Sequence, residues 1–259
     1  FSFTNYDMLH NASFTGLENY MRMFLDDDVF LIALKNTLIF ALVTGPISYF
    51  MCFFFAWLIN ELKPALRAVA TLVFYAPVLS GSVFTVWQFI LSPDRYGMLN
   101  GFLINLGIMQ TPVSWLLDTR YIMTSLIIVQ LWMSLGTGFL AFIAGLQGVD
   151  TTLYEAASID GVRNRFQELW YVTLPQMAPQ MMFGAVMQIV SSFTVGSISI
   201  ALAGQPSTEY AGETIVTHMV DYGTTRYEMG YACAIACFLF FMMYVSKRGV
   251  NKILSRVGH

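Results

Sequence analysis

The sequence predicts an all-α protein that crosses a membrane several times. Hydrophobic residues make up 56% of the 259 positions and charged residues only 11%, whereas soluble domains carry about 25% charged residues. The mean hydropathy is +0.61. Long stretches also contain no charged side chain, and a bilayer core requires about 20 consecutive apolar residues per helix. These observations exclude an ordinary soluble globular protein.

Five runs without charged residues define five predicted spans. The runs cover positions 36–60, 68–93, 121–149, 170–208 and 229–246. We place the spans at about 34–60, 67–92, 121–146, 177–203 and 229–246, after an external segment at 1–33. Pro46 and Pro77 lie inside the first two spans. Neighbouring helices can satisfy the backbone groups that proline frees, so we expect a kink rather than a break.

The distribution of basic residues orients the chain, because cytoplasmic loops carry an excess of Lys and Arg. One side receives Lys63, Arg67, Arg163, Arg165, Lys247, Arg248, Lys252 and Arg256, and the other receives only Arg22, Lys35, Arg95, Arg120 and Arg226. The loop at 147–175 and the C-terminus are therefore predicted to be cytoplasmic. Residue 1 then lies outside, and we expect a further span upstream of it.

One long polar segment, from Asp150 to Pro179, lies between two predicted spans. Thr152 and Glu155 have the spacing of a capping box, in which both side chains bond free backbone N–H groups at a helix start. Gly161 predicts the end of this short helix, because glycine adopts a left-handed turn without steric cost. Leu174-Pro175 is expected to break the amphipathic run that follows.

This segment resembles the EAA loop of the permease subunits of ABC importers. The matching residues are Glu155, Ala156, Ala157, Asp160, Gly161, Leu174 and Pro175, with Pro179 after them. The Asp before Gly and the Thr-Leu-Pro sequence are similar to the sugar-importer, maltose-type branch. Val162 departs from the family, which usually has Ala there. An ordinary capped cytoplasmic helix is the alternative interpretation.

The resemblance implies a transport subunit and its partners. In that family the loop is a coupling helix that docks into a cleft of a separate ATPase, so the seven matching residues would be ATPase-coupling residues. The five spans would belong to a six-helix permease core in a prokaryotic inner membrane. The implied partners are a second, distinct permease, two ABC ATPase subunits and an extracellular solute-binding protein. ATP and Mg would be bound by the ATPase, and no cofactor by this chain.

Polar side chains within the spans are candidates for a substrate path. Gln188, Ser191 and Ser192 lie on one helical face, and uncharged polar groups at membrane depth usually face the protein interior. Hydroxyl and amide groups suit a sugar that must bind and then be released. The candidate pathway residues are Tyr75, Gln130, Gln188, Ser191, Ser192 and Thr194. Hydrogen bonding between packed helices is the alternative for each of them.

Several other functions lack the residues that they require. There is no Gly-Lys-Ser or Gly-Lys-Thr, hence no P-loop, so the chain is not predicted to hydrolyse ATP. The three histidines, His10, His218 and His259, lie outside the spans and form no HExxH motif, so no metal site is predicted. No nucleophile is paired with a base, so no catalytic residue is predicted, and no nucleic-acid partner is expected. The loop that carries Glu209, Glu213, His218 and Asp221 is predicted to be a solvated external segment.

The sequence as a whole predicts the permease subunit of an ATP-driven importer, for an oligosaccharide or a related sugar. The alternative, from a different class, is a membrane scaffold or an uncoupled facilitator without an ATPase partner. The EAA-like loop favours the importer, because a facilitator does not need a capped, Gly-terminated cytoplasmic helix at that place. A membrane enzyme is disfavoured by the missing catalytic groups.

Overall fold

A computed structural model describes residues 1–80 and 83–254 of the chain, so Arg256 lies outside the described residues. The structure is almost entirely helical. The principal helices are α1 (Glu18–Leu25), α2 (Asp28–Asn60), α3 (Pro64–Leu79), α4 (Val83–Ile90), α5 (Met98–Asn105), α6 (Ile122–Met133), α7 (Thr137–Gln147), α8 (Thr151–Ile159), α9 (Arg165–Glu168), α10 (Leu174–Gln176), α11 (Ala178–Phe193), α12 (Ser197–Ala203), α13 (Ile215–Val220) and α14 (Met229–Leu254). Two short strands, β1 (Thr4–Asn5) and β2 (Ser13–Phe14), form an antiparallel pair near the start of the chain.

Among the described residues, four helical stretches are long and apolar enough to cross a membrane. They are Asp28–Asn60, Ile122–Gln147, Ala178–Ala203 and Met229–Lys252, and helices α3 and α4 count as a fifth if they form one span. These stretches overlap the five spans predicted from the sequence, and the predicted all-α membrane class is confirmed. Pro46 and Pro77 both lie inside continuous helices, as expected.

The chain divides into two compact units, which are described separately. Unit 1 comprises Phe1–Thr44, Ser80–Leu131 and Ser192–Met243, and unit 2 comprises Gly45–Leu79, Trp132–Ser191 and Tyr244–His259. The boundaries fall within or beside the apolar helices, so the long helices α2 and α14 contribute residues to both units.

The core of unit 2 is built on aromatic side chains from α2 and α7. The ring of Phe142 is fully buried and packs edge-on against Tyr49 and Phe53, each at 5.5 Å between ring centroids. A Cβ atom at Gly184 would come within 2.6 Å of the Phe142 ring, so only glycine lets α11 approach α7 this closely. This packing forms a buried core next to the polar segment that follows α7.

A buried carboxylate organises unit 1. The Asp27 carboxylate accepts hydrogen bonds from the Tyr231 hydroxyl at 2.7 Å and from the Phe30 backbone N–H at 2.9 Å, and it pairs with His218 Nε2 at 2.9 Å. Burial alone would raise the pKa of Asp27, but these hydrogen bonds outweigh it, so the pKa lies below its ordinary value. The network joins the start of α2 to α13 and α14.

The expectation of a solvated segment around residues 204–228 is wrong for two of the four residues on which it was based. His218 and Glu213 are 2% and 4% exposed, respectively. His218 is buried because Asp27 provides it with a charged partner. Burial raises the pKa of Glu213, although a hydrogen bond with Thr217 opposes this shift. Glu209 is exposed, and Asp221 is partly so.

Candidate functional site

The candidate site is the polar segment of unit 2 that begins with α8. Its first residue, Thr151, follows an N-cap Asp150, whose carboxylate accepts a hydrogen bond from the Thr152 N–H at 2.9 Å. The predicted capping box of Thr152 and Glu155 is therefore wrong, because the helix begins two residues earlier than that pattern requires. The hydrogen bond from the Thr152 N–H also lowers the pKa of Asp150.

The end of α8 agrees with the prediction. Asp160 is the C-cap, and its N–H donates to the Ala156 carbonyl at 3.1 Å. Gly161 has a φ of +95°, in the left-handed region. A Cβ built on Gly161 would meet no described atom within 4 Å. The backbone conformation, rather than a shortage of space, is thus what favours glycine here.

Helix α8 lies at the surface of unit 2. Glu155, Ala156 and Asp160 are exposed and Ala157 is half-buried. Ile159 is 86% exposed. The helix therefore presents small and apolar groups together on an accessible surface.

A hydrogen bond ties α8 to the helical segment that leads to α11. The hydroxyl of Tyr154 and the Oγ1 atom of Thr173 lie 2.9 Å apart. Thr173 is buried and ends a π-helical turn, Leu169–Thr173, which directly precedes α10. Neither residue was identified from the sequence. The position of Tyr154, directly before the EAA residues, was a usable signal.

The predicted break at Leu174-Pro175 is not where the chain breaks. Both residues lie inside α10, with Pro175 at its N-terminal end, where the missing N–H of proline costs nothing. The helix is interrupted at Met177 instead, which is fully buried, and α11 begins at Ala178. Leu174 is half-buried and Pro175 is exposed.

A polar cavity of about 320 Å³ adjoins α8 within unit 2. Thr151 and Tyr154 form one wall, and the turn between α2 and α3 forms another. Arg165 lies at its edge, 3.3 Å from the Glu61 carboxylate and 2.8 Å from that of Glu168. This cavity could not be predicted from the sequence, because its walls come from segments about a hundred residues apart.

The six candidate pathway residues are divided between the two units. In unit 2, Gln188 is buried, and its amide nitrogen contacts Cys52 Sγ at 3.1 Å and the Ser134 carbonyl at 3.3 Å. These contacts correspond to the helix-packing alternative. Tyr75 and Ser191, in the same unit, are half-buried.

In unit 1, Gln130 and Ser192 are buried and Thr194 is exposed. Thr194 lies in the short break between α11 and α12. Across residues 1–80 and 83–254, no group of three or more His, Cys, Asp or Glu side chains could hold a metal ion.

Comparison with known proteins places this architecture among transport proteins. Residues 37–257 match the family described as "Binding-protein-dependent transport system inner membrane component". The "Probable ABC transporter permease protein YurN" of Bacillus subtilis (strain 168) is 32% identical, over 86% of this chain and 76% of its own length. The "Arabinooligosaccharides transport system permease protein AraP" of the same organism is 28% identical, over 90% of this chain and 74% of its own.

A solved structure has a similar fold. The crystal structure of a bacterial ABC transporter involved in the import of the acidic polysaccharide alginate contains a chain that superposes with a TM-score of 0.80. The alignment covers 94% of this chain and 85% of that chain, at 24% sequence identity. At this identity the likeness establishes the fold.

Proposed function

The chain belongs to the family of binding-protein-dependent transport system inner membrane components, and we propose that it is the permease subunit of an ATP-driven importer for an oligosaccharide or a related sugar. The relatives YurN and AraP are both named as permease proteins, and AraP is named for arabinooligosaccharides. The charge-free runs within the spans contain hydroxyl and amide groups. Such groups support a substrate that is uncharged and forms hydrogen bonds.

The observation that carries the coupling proposal is the exposed, well-delimited helix α8. It is capped by Asp150, ends at the left-handed Gly161 and presents Ile159 at 86% exposure. We assign Glu155, Ala156, Ala157, Asp160, Gly161, Leu174 and Pro175 to ATPase coupling. An ATPase cleft that closes on ATP would move α8, and the bond between Tyr154 and Thr173 would pass that movement towards α11.

The proposal implies partners on both sides of a prokaryotic inner membrane. The loop at 147–175 and the C-terminus would be cytoplasmic, where two ABC ATPase subunits bind ATP and Mg. A second, distinct permease would complete the path, and an extracellular binding protein would deliver the sugar. Thr194 is the best-placed pathway candidate, because it is exposed whereas Gln130, Gln188 and Ser192 are buried.

The test is to purify the chain with its native neighbours and to assay ATP hydrolysis in lipid with a sugar-loaded binding protein. We expect a co-purifying ATPase that the loaded binding protein stimulates. Gly161→Asp should abolish the stimulation and the transport while the protein remains inserted, since the left-handed turn disfavours any Cβ. Gly249→Asp is the matched control, because Gly249 also has open space among the described residues but lies within helix α14.

Two results would contradict this proposal. Normal transport in Gly161→Asp would show that α8 is not the coupling element. The absence of any ATPase partner under gentle extraction would favour the membrane scaffold or uncoupled facilitator.

A further inference from the structure

The end of α14 carries a concentration of positive charge. Four basic residues lie there within ten positions: Lys247, Arg248, Lys252 and Arg256. The chain contains no Asp or Glu after Glu228, so no acidic residue of this segment balances them. The three basic residues that the structure describes are all exposed. Clusters of this kind next to a membrane-spanning helix attract the headgroups of anionic lipids.

The length of α14 places these charges at the surface of the membrane. The helix runs from Met229 to Leu254, and its stretch Met229–Lys252 is apolar enough to cross a membrane. A hydrocarbon core about 30 Å thick takes about 20 residues, at about 1.5 Å each. Counted from Met229, the core therefore ends close to Arg248, at the level where the phosphate groups of the lipids lie.

One face of α14 changes from apolar to basic along the helix, within unit 2. Tyr244, Arg248 and Lys252 follow at intervals of four residues, so their side chains lie on the same side. Val245, three residues before Arg248, lies beside them and is 51% exposed. A phospholipid has the same order of properties, with acyl chains next to a phosphate. Lys247 is also exposed, but it is rotated by about 100° from Arg248 around the helix axis.

Tyr244 positions the Arg248 guanidinium where the apolar part of this face ends. The Arg248 Cζ atom lies 5.0 Å from the centre of the Tyr244 ring. Such a contact between a cation and an aromatic ring is attractive, so it holds the guanidinium towards the preceding turn of the helix. The planar guanidinium presents N–H donors in a fork that matches two oxygens of one phosphate.

We propose that this face of α14 binds one anionic phospholipid, with its phosphate against Arg248 and Lys252 and an acyl chain along Tyr244 and Val245. A zwitterionic headgroup carries a cation that the two basic residues repel, so phosphatidylglycerol is preferred over phosphatidylcholine. A soluble subunit would reach the basic residues but not the apolar part, which lies at the depth of the hydrocarbon. The inference uses only the location of α14 in a membrane and is independent of the sugar and the ATPase.

Binding is tested by photo-crosslinking on the complex purified with its native neighbours. The complex is placed in phosphatidylcholine nanodiscs that contain a small, fixed fraction of a photoreactive phosphatidylglycerol, and labelled peptides are identified by mass spectrometry. We expect labelling at the end of α14 that unlabelled phosphatidylglycerol suppresses. A photoreactive phosphatidylcholine at the same fraction should label this peptide at least about fivefold less, the factor expected for one basic residue near a charged surface.

Single substitutions distinguish a site from diffuse attraction by the positive charge. Arg248→Gln should raise about fivefold the fraction of phosphatidylglycerol that halves the labelling, and Lys252→Gln should act similarly. Lys247→Gln is the matched control, because it removes the same charge one position away but off this face. Labelling of the control should be almost unchanged.

Four results would overturn this inference. Equal labelling by phosphatidylcholine would exclude a preference for anionic lipid, and equal losses in Arg248→Gln and Lys247→Gln would exclude a defined site. Competition by soluble glycerol phosphate as strong as that by the lipid would indicate a phosphate site instead. The absence of labelling would show that a protein covers this face.

These outcomes are separate from the proposed function. Each of the four results leaves the importer intact. If no ATPase partner is found, the importer fails, and the same labelling of the isolated chain still decides whether α14 binds an anionic lipid.

Discussion

At the scale of single residues, the contact between Tyr154 and Thr173 is the most informative feature of the candidate site. It connects an exposed helix to a buried position at the end of a π-helical turn. Turns of this kind occur frequently at functional sites. The Thr173 hydroxyl also contacts the Glu168 carbonyl at 3.3 Å, so it is held from two directions.

Removing the Tyr154 hydroxyl should uncouple transport from ATP hydrolysis. Tyr154→Phe keeps the ring and loses one hydrogen bond, worth about 0.5–1.5 kcal/mol, so ATP hydrolysis should persist while the sugar imported per ATP falls. Thr173→Val should have at least the same effect, since it also removes the contact with the Glu168 carbonyl, and the double variant should be no worse than Thr173→Val alone. The measurement is the ratio of uptake to hydrolysis in proteoliposomes.

Tyr171→Phe is the control for this experiment, since Tyr171 lies in the same π-helical turn and is 69% exposed. An unchanged ratio in Tyr154→Phe, or fully additive effects in the double variant, would exclude this bond as the mechanical link.

At the scale of elements, the Asp27 network shows how distant segments determine one another's environment. Asp26, Asp27 and Asp28 are adjacent, yet only Asp27 is buried, because His218 and Tyr231 provide its partners. Those partners are 191 and 204 positions away along the chain. Sequence patterns near residue 27 therefore could not have identified the buried carboxylate.

Asp27→Asn should destabilise the protein at neutral pH. The variant loses hydrogen bonds to a charged acceptor, which are worth about 1.5–3 kcal/mol. Because the folded-state pKa of Asp27 is lowered, its stabilising effect is complete above the unfolded-state pKa and is lost as the pH falls through the folded-state value. The difference in melting temperature between wild type and variant should therefore narrow only below about pH 4.

The measurement for Asp27 is thermal unfolding in nanodiscs, followed by tryptophan fluorescence across a pH series. Asp26→Asn, at the exposed neighbour, should leave the melting temperature near the wild-type value. Equal melting temperatures for Asp27→Asn and the wild type at neutral pH would show that the network contributes no net stability.

At the scale of the whole molecule, the main property inferred from the sequence alone is the orientation in the membrane. The distribution of basic residues predicts that the α8 loop is cytoplasmic and that the loop around Tyr96 is external. Both loops offer exposed positions, since Ser158 is exposed and Tyr96 is 95% exposed.

The orientation predicts which introduced cysteines can be labelled from outside. In a background with Cys233 and Cys237 replaced by alanine, Tyr96→Cys should react with an impermeant maleimide on intact cells. Ser158→Cys should react only after the membrane is opened. The opposite pattern would invert the topology and place α8 away from any cytoplasmic ATPase.

The sequence by itself determined the all-α membrane class and the end of α8 at Gly161. These follow from local properties: hydrophobic length sets a span, and a glycine that tolerates a left-handed turn ends a helix. The helix end at Gly161 could be predicted because it depends only on the backbone conformation of that residue. The capping box at Thr152 failed because Asp150, two residues earlier, caps the helix instead.

Only the tertiary structure decided which polar side chains meet a hydrogen-bond partner and which are buried without one. It engaged Gln188 with Cys52 and Ser134, buried Asp27 against His218, and left Asn60 Oδ1 and Arg67 Nε without partners among the described residues. Hydrogen bonds and charge balance depend on distances between segments far apart in the chain. Helical periodicity fixes the face on which a residue lies, and packing fixes what that face meets.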